Sequence, residues 1–368
     1  MTRRLYISTL IVLALFSCLV HADASATYKS QETKTLNKNQ PASSDYKQET
    51  EAGTNESIPS AYNHPAAIDL SGGYDVFVTA AFTYWEIQQE GMKIGSAYQA
   101  PISSGPNGFS DVLFIDEDFK IGFEVGLGVN THFDDWVLTA NYTNFHHTLT
   151  RNQGSFPFLS TPFILVGSGG GGVVFTNSSH RWTFGLDVID LDMGRSFYQG
   201  KRLTVNPFFG LRYQSIGQDY HLSGVTTLEQ TATGSWKTSS WGLGPRFGVD
   251  TNWLLGSGFR LIGSASGAVL FTDYSPLRYH EPSTASSYTL NIRSKDYLRE
   301  DIEGSLGFGW GMYSKQQRLH IDFTATYDFK IFFNQNMIAW MMNNVNEVDS
   351  SPGNLYLNGL TVTGRFDF

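Results

Sequence analysis

From Tyr74 onward the chain alternates apolar and polar positions in segment after segment, the period-two spacing that sends successive side chains to opposite faces of a strand. The clearest segment is Leu319–Phe332. There Leu319, Ile321, Phe323, Ala325, Tyr327, Phe329 and Ile331 share one face, and His320, Asp322, Thr324, Thr326, Asp328 and Lys330 share the other. Phe119–Val129 repeats it, setting Phe119, Ile121, Phe123, Val125, Leu127 and Val129 against Lys120, Gly122, Glu124, Gly126 and Gly128. Eight more segments follow the rule: Tyr74–Gln88, Asp134–Leu149, Arg181–Met193, Arg202–Gln218, Ser239–Trp253, Gly258–Thr272, Asp301–Tyr313 and Leu355–Phe368. One of them changes step. Trp182, Phe184, Leu186 and Val188 have one parity and Ile189, Leu191 and Met193 the other, which a β-bulge near Val188 or Ile189 would reconcile.

The joins alternate strictly in length. Those near 130–134, 194–201, 254–257 and 314–317 are short, while those near 89–118, 150–180, 219–238, 273–300 and 333–354 are long. This is the arrangement of an all-β, transmembrane, antiparallel up-and-down β-barrel, with short periplasmic turns, long external loops and an even number of strands. About ten strands are expected. Twelve result if Met92–Tyr98 and part of Phe158–Phe175 pair as an extra hairpin.

Each segment has a broad apolar face, more than a barrel interior could hold, so the apolar side is assigned to lipid and the polar side to the lumen. Trp136, Trp182, Trp241, Trp253, Trp310 and Tyr356 then become candidates for the interfacial aromatic girdles. Strand parity assigns Lys120, Glu124, Asp187, Arg212, Arg246, Asp250, Arg260, His320, Asp322, Asp328, Lys330 and Arg365 to the lumen. Two readings compete for them. In one, Arg212, Arg246 and Arg260 form a basic stripe facing carboxylates across a polar pore. In the other, the charges pair and fill a narrow interior, since barrels of about eight strands are filled by side chains whereas 16 to 18 strands leave a channel. Gly242, Gly244, Gly248, Gly307, Gly309 and Gly311 on the same face favour residual space, with close strand packing as the alternative account of the same glycines.

The N-terminal region has a different character. Arg3 and Arg4 precede a mostly apolar run from Leu5 to Val20, and Ala22-Asp-Ala24 offers a cleavage pattern, so residues 1–24 are read as a secretory signal peptide. The twin-arginine alternative suits folded cargo and not a barrel. The only cysteine, Cys18, closes an outline of a lipoprotein box in which the bulky Phe16 replaces the expected small residue. Residues 25–66 are polar and read as a disordered periplasmic leader, with a plug or partner-binding segment as the minority alternative. Residues 67–368 are assigned to the barrel.

Composition narrows the class further. The 37 Gly, 27 Phe, 18 Tyr and 8 Trp suit turns and aromatic belts, and no second apolar run approaches the ~20 residues of a spanning helix. Loss of Arg3, Arg4 and Asp23 would take the 25 basic and 34 acidic side chains to 23 and 33, a net charge of −10 that argues against a nucleic-acid partner. No His, Cys or carboxylate set has metal-ligand spacing, and no cofactor motif stands out. Gly167–Gly172 matches G-x-G-x-x-G without the strand–helix unit that would give it meaning. Catalytic readings fare no better: His146-His147 have no acidic neighbour in sequence, and His320 with Asp322 reads as a lumen hydrogen bond before a general base.

The closing segment Leu360-Thr-Val-Thr-Gly-Arg-Phe-Asp-Phe368 resembles the aromatic assembly signal of outer-membrane barrels, carried by Phe366 and Phe368. Trp182-Thr-Phe-Gly-Leu-Asp-Val-Ile-Asp-Leu-Asp-Met-Gly-Arg-Ser-Phe-Tyr, followed by Arg202-Leu-Thr-Val-Asn-Pro-Phe-Phe-Gly-Leu-Arg-Tyr, resembles the central signature of the Legionella-type pore-forming outer-membrane protein family, which includes major-outer-membrane-protein-like porins. The resemblance runs over roughly residues 70 to 368. It implies a pore or surface protein of a Gram-negative envelope and carries no catalytic residues. The expectation is therefore a non-enzymatic outer-membrane pore for small polar solutes or ions, in contact with outer-membrane lipid and the barrel-assembly machinery, its oligomeric state open. The alternative is a non-conducting surface structural protein or adhesin acting through the long loops.

Overall fold

The computed structural model describes residues 64–66, 68, 70, 75–98, 110–116, 118–131, 135–154, 156–164, 173–282, 287–345 and 352–368. The signal segment, Cys18, residues 25–63 and Gly167–Gly172 lie outside them. Among the described residues ten long strands close an antiparallel barrel. They are β1 (Val76–Gln89), β2 (Phe119–Asn130), β3 (Trp136–Asn152), β4 (Val173–Arg195), β5 (Leu203–Thr226), β6 (Thr231–Gly256), β7 (Phe259–Tyr274), β8 (Lys295–Tyr313), β9 (His320–Asn336) and β10 (Gly353–Asp367). Each is centred on one of the ten alternating segments. Each pairs with its neighbours in sequence, and β10 closes on β1 from Leu355↔Gln89 to Asp367↔Phe77. Phe368 completes the seam: its N–H donates to the Val76 carbonyl at 3.0 Å and its carbonyl accepts from Val76 at 3.4 Å.

The short joins are hairpins whose corners need left-handed backbone, found at Asp135 (φ 56°), Gly200 (φ 80°), Ser257 (φ 54°), Gly258 (φ 82°) and Gln317 (φ 53°). The long joins differ from the sequence reading in an informative way. Residues 219–238 are not a loop. β5 and β6 stay paired out to Val225↔Thr231 and turn within Thr226–Gln230. At 24 and 26 residues these strands far exceed the ~9–11 residues that cross a bilayer. The wall therefore continues beyond the membrane, and short strands extend it: Leu277–Glu281 pairs with β6, and Tyr288–Ile292 with Leu277–Glu281.

The segments that a twelve-stranded barrel would use do meet, Tyr98↔Phe158 through Ser96↔Ser160, but as an addition to the ten staves, with Ile94, Ala97 and Leu159 fully buried in the apolar core. Because β1 pairs directly with β2 from Val76↔Val129 to Glu86↔Phe119, no gap remains for two further staves. Within the expected leader, His64–Pro65 forms a short strand against Phe197 and Tyr198. After β9 comes the helix α1 (Met337–Val345), begun by Asn336, whose side-chain oxygen accepts the Ala339 N–H at 3.0 Å.

No bulge breaks β4 near Val188. Its ladder with β5 runs without interruption from Asn177↔Val225 to Gly194↔Phe208, and the one shift lies at Val225/Thr226. Trp182, Phe184, Leu186 and Val188 all point inward, 1–4% exposed. They join a core inside the external half of the barrel, with Trp85, Phe145, Tyr220, Trp236, Tyr274, Tyr279 and Phe332 from the wall and Phe163, Met337, Ile338 and Met341 from the segments that enter the mouth. Phe163 stacks on Tyr220 at 4.1 Å, Trp236 lies 4.1 Å from Tyr279, and Phe145 bridges Trp85 (5.7 Å) and Phe184 (6.4 Å). Trp182 is thus a core residue and not part of a girdle. Trp241 and Trp253, 41% and 56% exposed, do face outward.

Candidate functional site

The lumen collects eleven of the twelve side chains that parity assigned to it. On β5, Arg212 is 2% exposed and holds two carboxylates at once. Its Nε and Nη2 donate to the Asp190 oxygens at 2.7 and 2.8 Å, and its Nη1 and Nη2 donate to the Glu303 oxygens at 2.9 Å each. Asp190 is on the adjacent β4, but Glu303 is on β8, separated from β5 by β6 and β7, so this guanidinium ties one wall to another across the interior. Paired bidentate geometry is what a planar guanidinium does best.

Arg246 on β6 adds to the same knot through Asp192, Ser266 (3.1 Å) and Glu303 (3.3 Å), with the Phe208 ring 4.7 Å away. Lys330 on β9 reaches Glu124 at 3.3 Å and Glu303 at 3.7 Å, and lies 4.4 Å from the Trp85 ring. Asp328 accepts from Thr326 (2.8 Å) and Thr361 (2.5 Å). Toward the periplasmic turns, Asp250 accepts from Ser264 (2.7 Å) and Asn206 (3.3 Å). Arg260 bonds Asn252 (2.9 Å) and Asp322, while His320 (2.9 Å) and Arg365 share Asp367, with Arg365 3.5 Å over Phe77. At the external end Lys120 pairs with Asp118.

Asp187 is the exception. Its partner across β5 is Ser215, on the outward face with Leu211 and Tyr213, and it bonds Tyr142, Asn144 and His146 on the outside of the wall. The supposed bulge caused this misassignment. With the ladder continuous, the inward carboxylates of β4 are Asp190 and Asp192. These two, with Asp301, Glu303 and Asp367, are lumen residues that sequence reasoning missed. The signal existed for three of them: Asp301 and Glu303 share parity with Gly307, Gly309 and Gly311, and Asp367 shares it with Arg365.

The lumen glycines do not leave space. A Cβ on Gly244 would lie 1.9 Å from the Val269 carbonyl oxygen, and one on Gly307 2.1 Å from that of Ala325. On Gly248 it would meet the Phe208 ring at 2.4 Å, and on Gly309 the Arg260 guanidinium at 2.9 Å. These positions are glycine because backbone and neighbouring side chains already occupy the volume. Beside the charged knot lies a cavity of about 100 Å³ bordered by Arg246, Ser264, Ser266, Glu303, Asp328 and Lys330, room for a few waters. Among the described residues no group of three or more His, Cys, Asp or Glu side chains is placed to hold a metal ion.

A closed antiparallel barrel with an outward apolar surface and an ionic interior defines a β-barrel of the bacterial outer membrane. The chain belongs to the family described as Legionella pneumophila major outer membrane protein precursor, whose model matches residues 69–368. No curated protein matches it. Among solved structures it is similar to the outer membrane protease OmpT from Escherichia coli, at 8% identity over 81% of this chain and 98% of that one, TM-score 0.40. It is also similar to a FadL homologue from Pseudomonas aeruginosa, at 9% identity over 84% and 93%, TM-score 0.28, and to the Pseudomonas putida toluene transporter TodX, at 10% identity over 80% and 89%, TM-score 0.21.

Proposed function

We propose that the protein is a non-enzymatic outer-membrane barrel whose lumen is shut and whose projecting external wall acts at the cell surface, in a structural or adhesive role. One observation carries this reading: the Arg212–Glu303 bridge crosses the interior at a level where Asp190, Arg246 and Lys330 complete the knot, directly beneath a buried aromatic core. A solute would have to displace both layers. Pulling apart a buried, hydrogen-bonded ion cluster leaves uncompensated charges and costs several kcal/mol. The test is liposome swelling with the folded protein in isosmotic solutions of small sugars and amino acids. Rates equal to those of protein-free liposomes support a shut lumen, and swelling that falls with solute size contradicts it.

A second reading, a gated pore, draws on α1. This helix enters the mouth on a segment that starts with left-handed backbone at Asn334 (φ 56°), and its first residues are tied to the wall by the Asn336 amide, which donates to the Glu90 carbonyl at 2.5 Å, and by the Tyr274 hydroxyl, which donates to Gln335 at 2.8 Å. Swelling that appears only after residues 337–352 are deleted would favour it.

A further inference from the structure

One hydrogen-bonded row across the outside of the wall reads Phe123 (β2), Asn144 (β3), Asp187 (β4), Ser215 (β5), Trp241 (β6). Its ends are exposed aromatics of the membrane belt, yet its middle is polar and holds a carboxylate. Tyr142 and Asn144 donate to Asp187 Oδ1 at 2.7 and 2.9 Å, and His146 Nε2 meets Oδ2 at 2.9 Å. Burial in protein does not explain the cluster, because the His146 and Asp187 side chains remain 52% and 34% exposed. An ionisable group facing hydrocarbon is costly, so the row marks the depth at which the lipid contact becomes polar.

The floor next to Asp187 is low. Gly185 and Gly217 face each other across β4 and β5, and a Cβ on Gly217 would touch nothing within 4 Å. One side of this recess is the Tyr213–Trp241 stack, with rings 6.5 Å apart, and the other is His146. Farther out on the same face, Arg181 and His221 are exposed cross-strand neighbours, and Lys237, 64% exposed, pairs with Asp219 at 3.5 Å. An aromatic ledge, a shallow floor and a carboxylate–amide pair suit the hydroxyls and apolar face of a sugar ring, and cations just above suit its phosphates.

We propose that this sector of β3–β6 is a docking site for the phosphorylated sugar headgroup of an outer-leaflet glycolipid. The location supplies the occupant's chemistry, since the recess opens toward lipid at the external edge of the apolar belt of an outer-membrane protein.

The test uses the full-length folded protein in vesicles of phosphatidylethanolamine and phosphatidylglycerol, with and without lipopolysaccharide. The unfolding temperature is read from the loss of the heat-modifiable gel band. Lipopolysaccharide is expected to raise it by several degrees in the wild type. Gly217→Leu, which fills the recess without removing any charged group, and the pair Arg181→Gln/Lys237→Gln should lose most of that increment while behaving like wild type in phospholipid alone. Equal increments for all variants would overturn the proposal. So would an equal loss in a far-wall control, Leu306→Ser, or self-association through this sector, seen as a dimer in native mass spectrometry that Gly217→Leu dissociates.

Discussion

Arg212 has four short hydrogen bonds to two carboxylates and almost no solvent contact, so its replacement would leave Asp190 and Glu303 buried and partly unpaired. Arg212→Ala is expected to destabilise the barrel by about 3–5 kcal/mol, read as a lower denaturation midpoint in detergent. Adding Glu303→Gln should recover part of the loss, because the two changes share one network. A null coupling between them would show that the cross-lumen bridge contributes nothing. The glycines make a second residue-scale prediction with opposite outcomes inside and outside. Gly244→Ala places a Cβ against the Val269 backbone oxygen and should lower the yield of folded barrel sharply, whereas Gly217→Ala on the outer face should be tolerated. Refolding yields judged by gel mobility separate the two. Here sequence parity placed eleven of twelve charged residues on the inner face. It could not tell whether an inward glycine opens space or yields to a neighbour's backbone, because that depends on inter-strand distance and stagger.

At the scale of elements, all ten strands were legible because lipid on one side and ions on the other impose a strict period of two over much of each stave. The pattern loses its meaning where the second side also becomes apolar. In β4, Trp182 to Val188 pack against the external core while Ile189 and Leu191 face lipid, and both environments select the same residue types. Alternation therefore seemed to shift by one, which suggested a bulge and turned Asp187 inward on paper. The length of the β5–β6 hairpin was hidden for a related reason: beyond the membrane its outward face meets water, so Asp219, His221 and Lys237 read as loop residues although the ladder continues through them. The α1 segment offers a test at this scale. Asn336→Ala removes the cap and the tie to Glu90, and should cost about 1 kcal/mol, seen as faster limited proteolysis within 337–352. Acid acts on a neighbouring clasp, in which the Glu90 carboxylate accepts from the Asn354 N–H at 3.0 Å and the Tyr356 hydroxyl at 2.5 Å. The Asn354 N–H, and next the Tyr356 hydroxyl, hold the Glu90 carboxyl below its ordinary range. The clasp is therefore intact at neutral pH and is lost as pH falls through that lowered value. Cleavage by an acid-active protease should accelerate there in the wild type, and Glu90→Gln should abolish the dependence. A wild-type profile without the acid step would remove Glu90 from the clasp.

For the whole molecule, two features set apart assembly and permeability. Phe368 pairs with Val76 at the seam and turns its ring outward, 42% exposed, beside Phe366 at 41%. Phe368→Asp should lower the amount of heat-modifiable protein in outer membranes, and unchanged levels would reduce this ring to an ordinary lipid contact. Permeability rests on the interior, where an aromatic core lies over an ion-paired knot with only about 100 Å³ beside it. Fill of this kind is expected when a barrel has about ten strands and not sixteen. The most direct test is the current through a planar bilayer containing the folded, full-length protein in concentrated potassium chloride. A shut lumen predicts a silent baseline at moderate voltage, with steps appearing only when Arg212→Ala and deletion of residues 337–352 are combined. Frequent uniform steps from the unaltered protein, with an ion selectivity reversed by Arg246→Glu and Arg260→Glu, would contradict the closed barrel and establish a pore lined by those arginines.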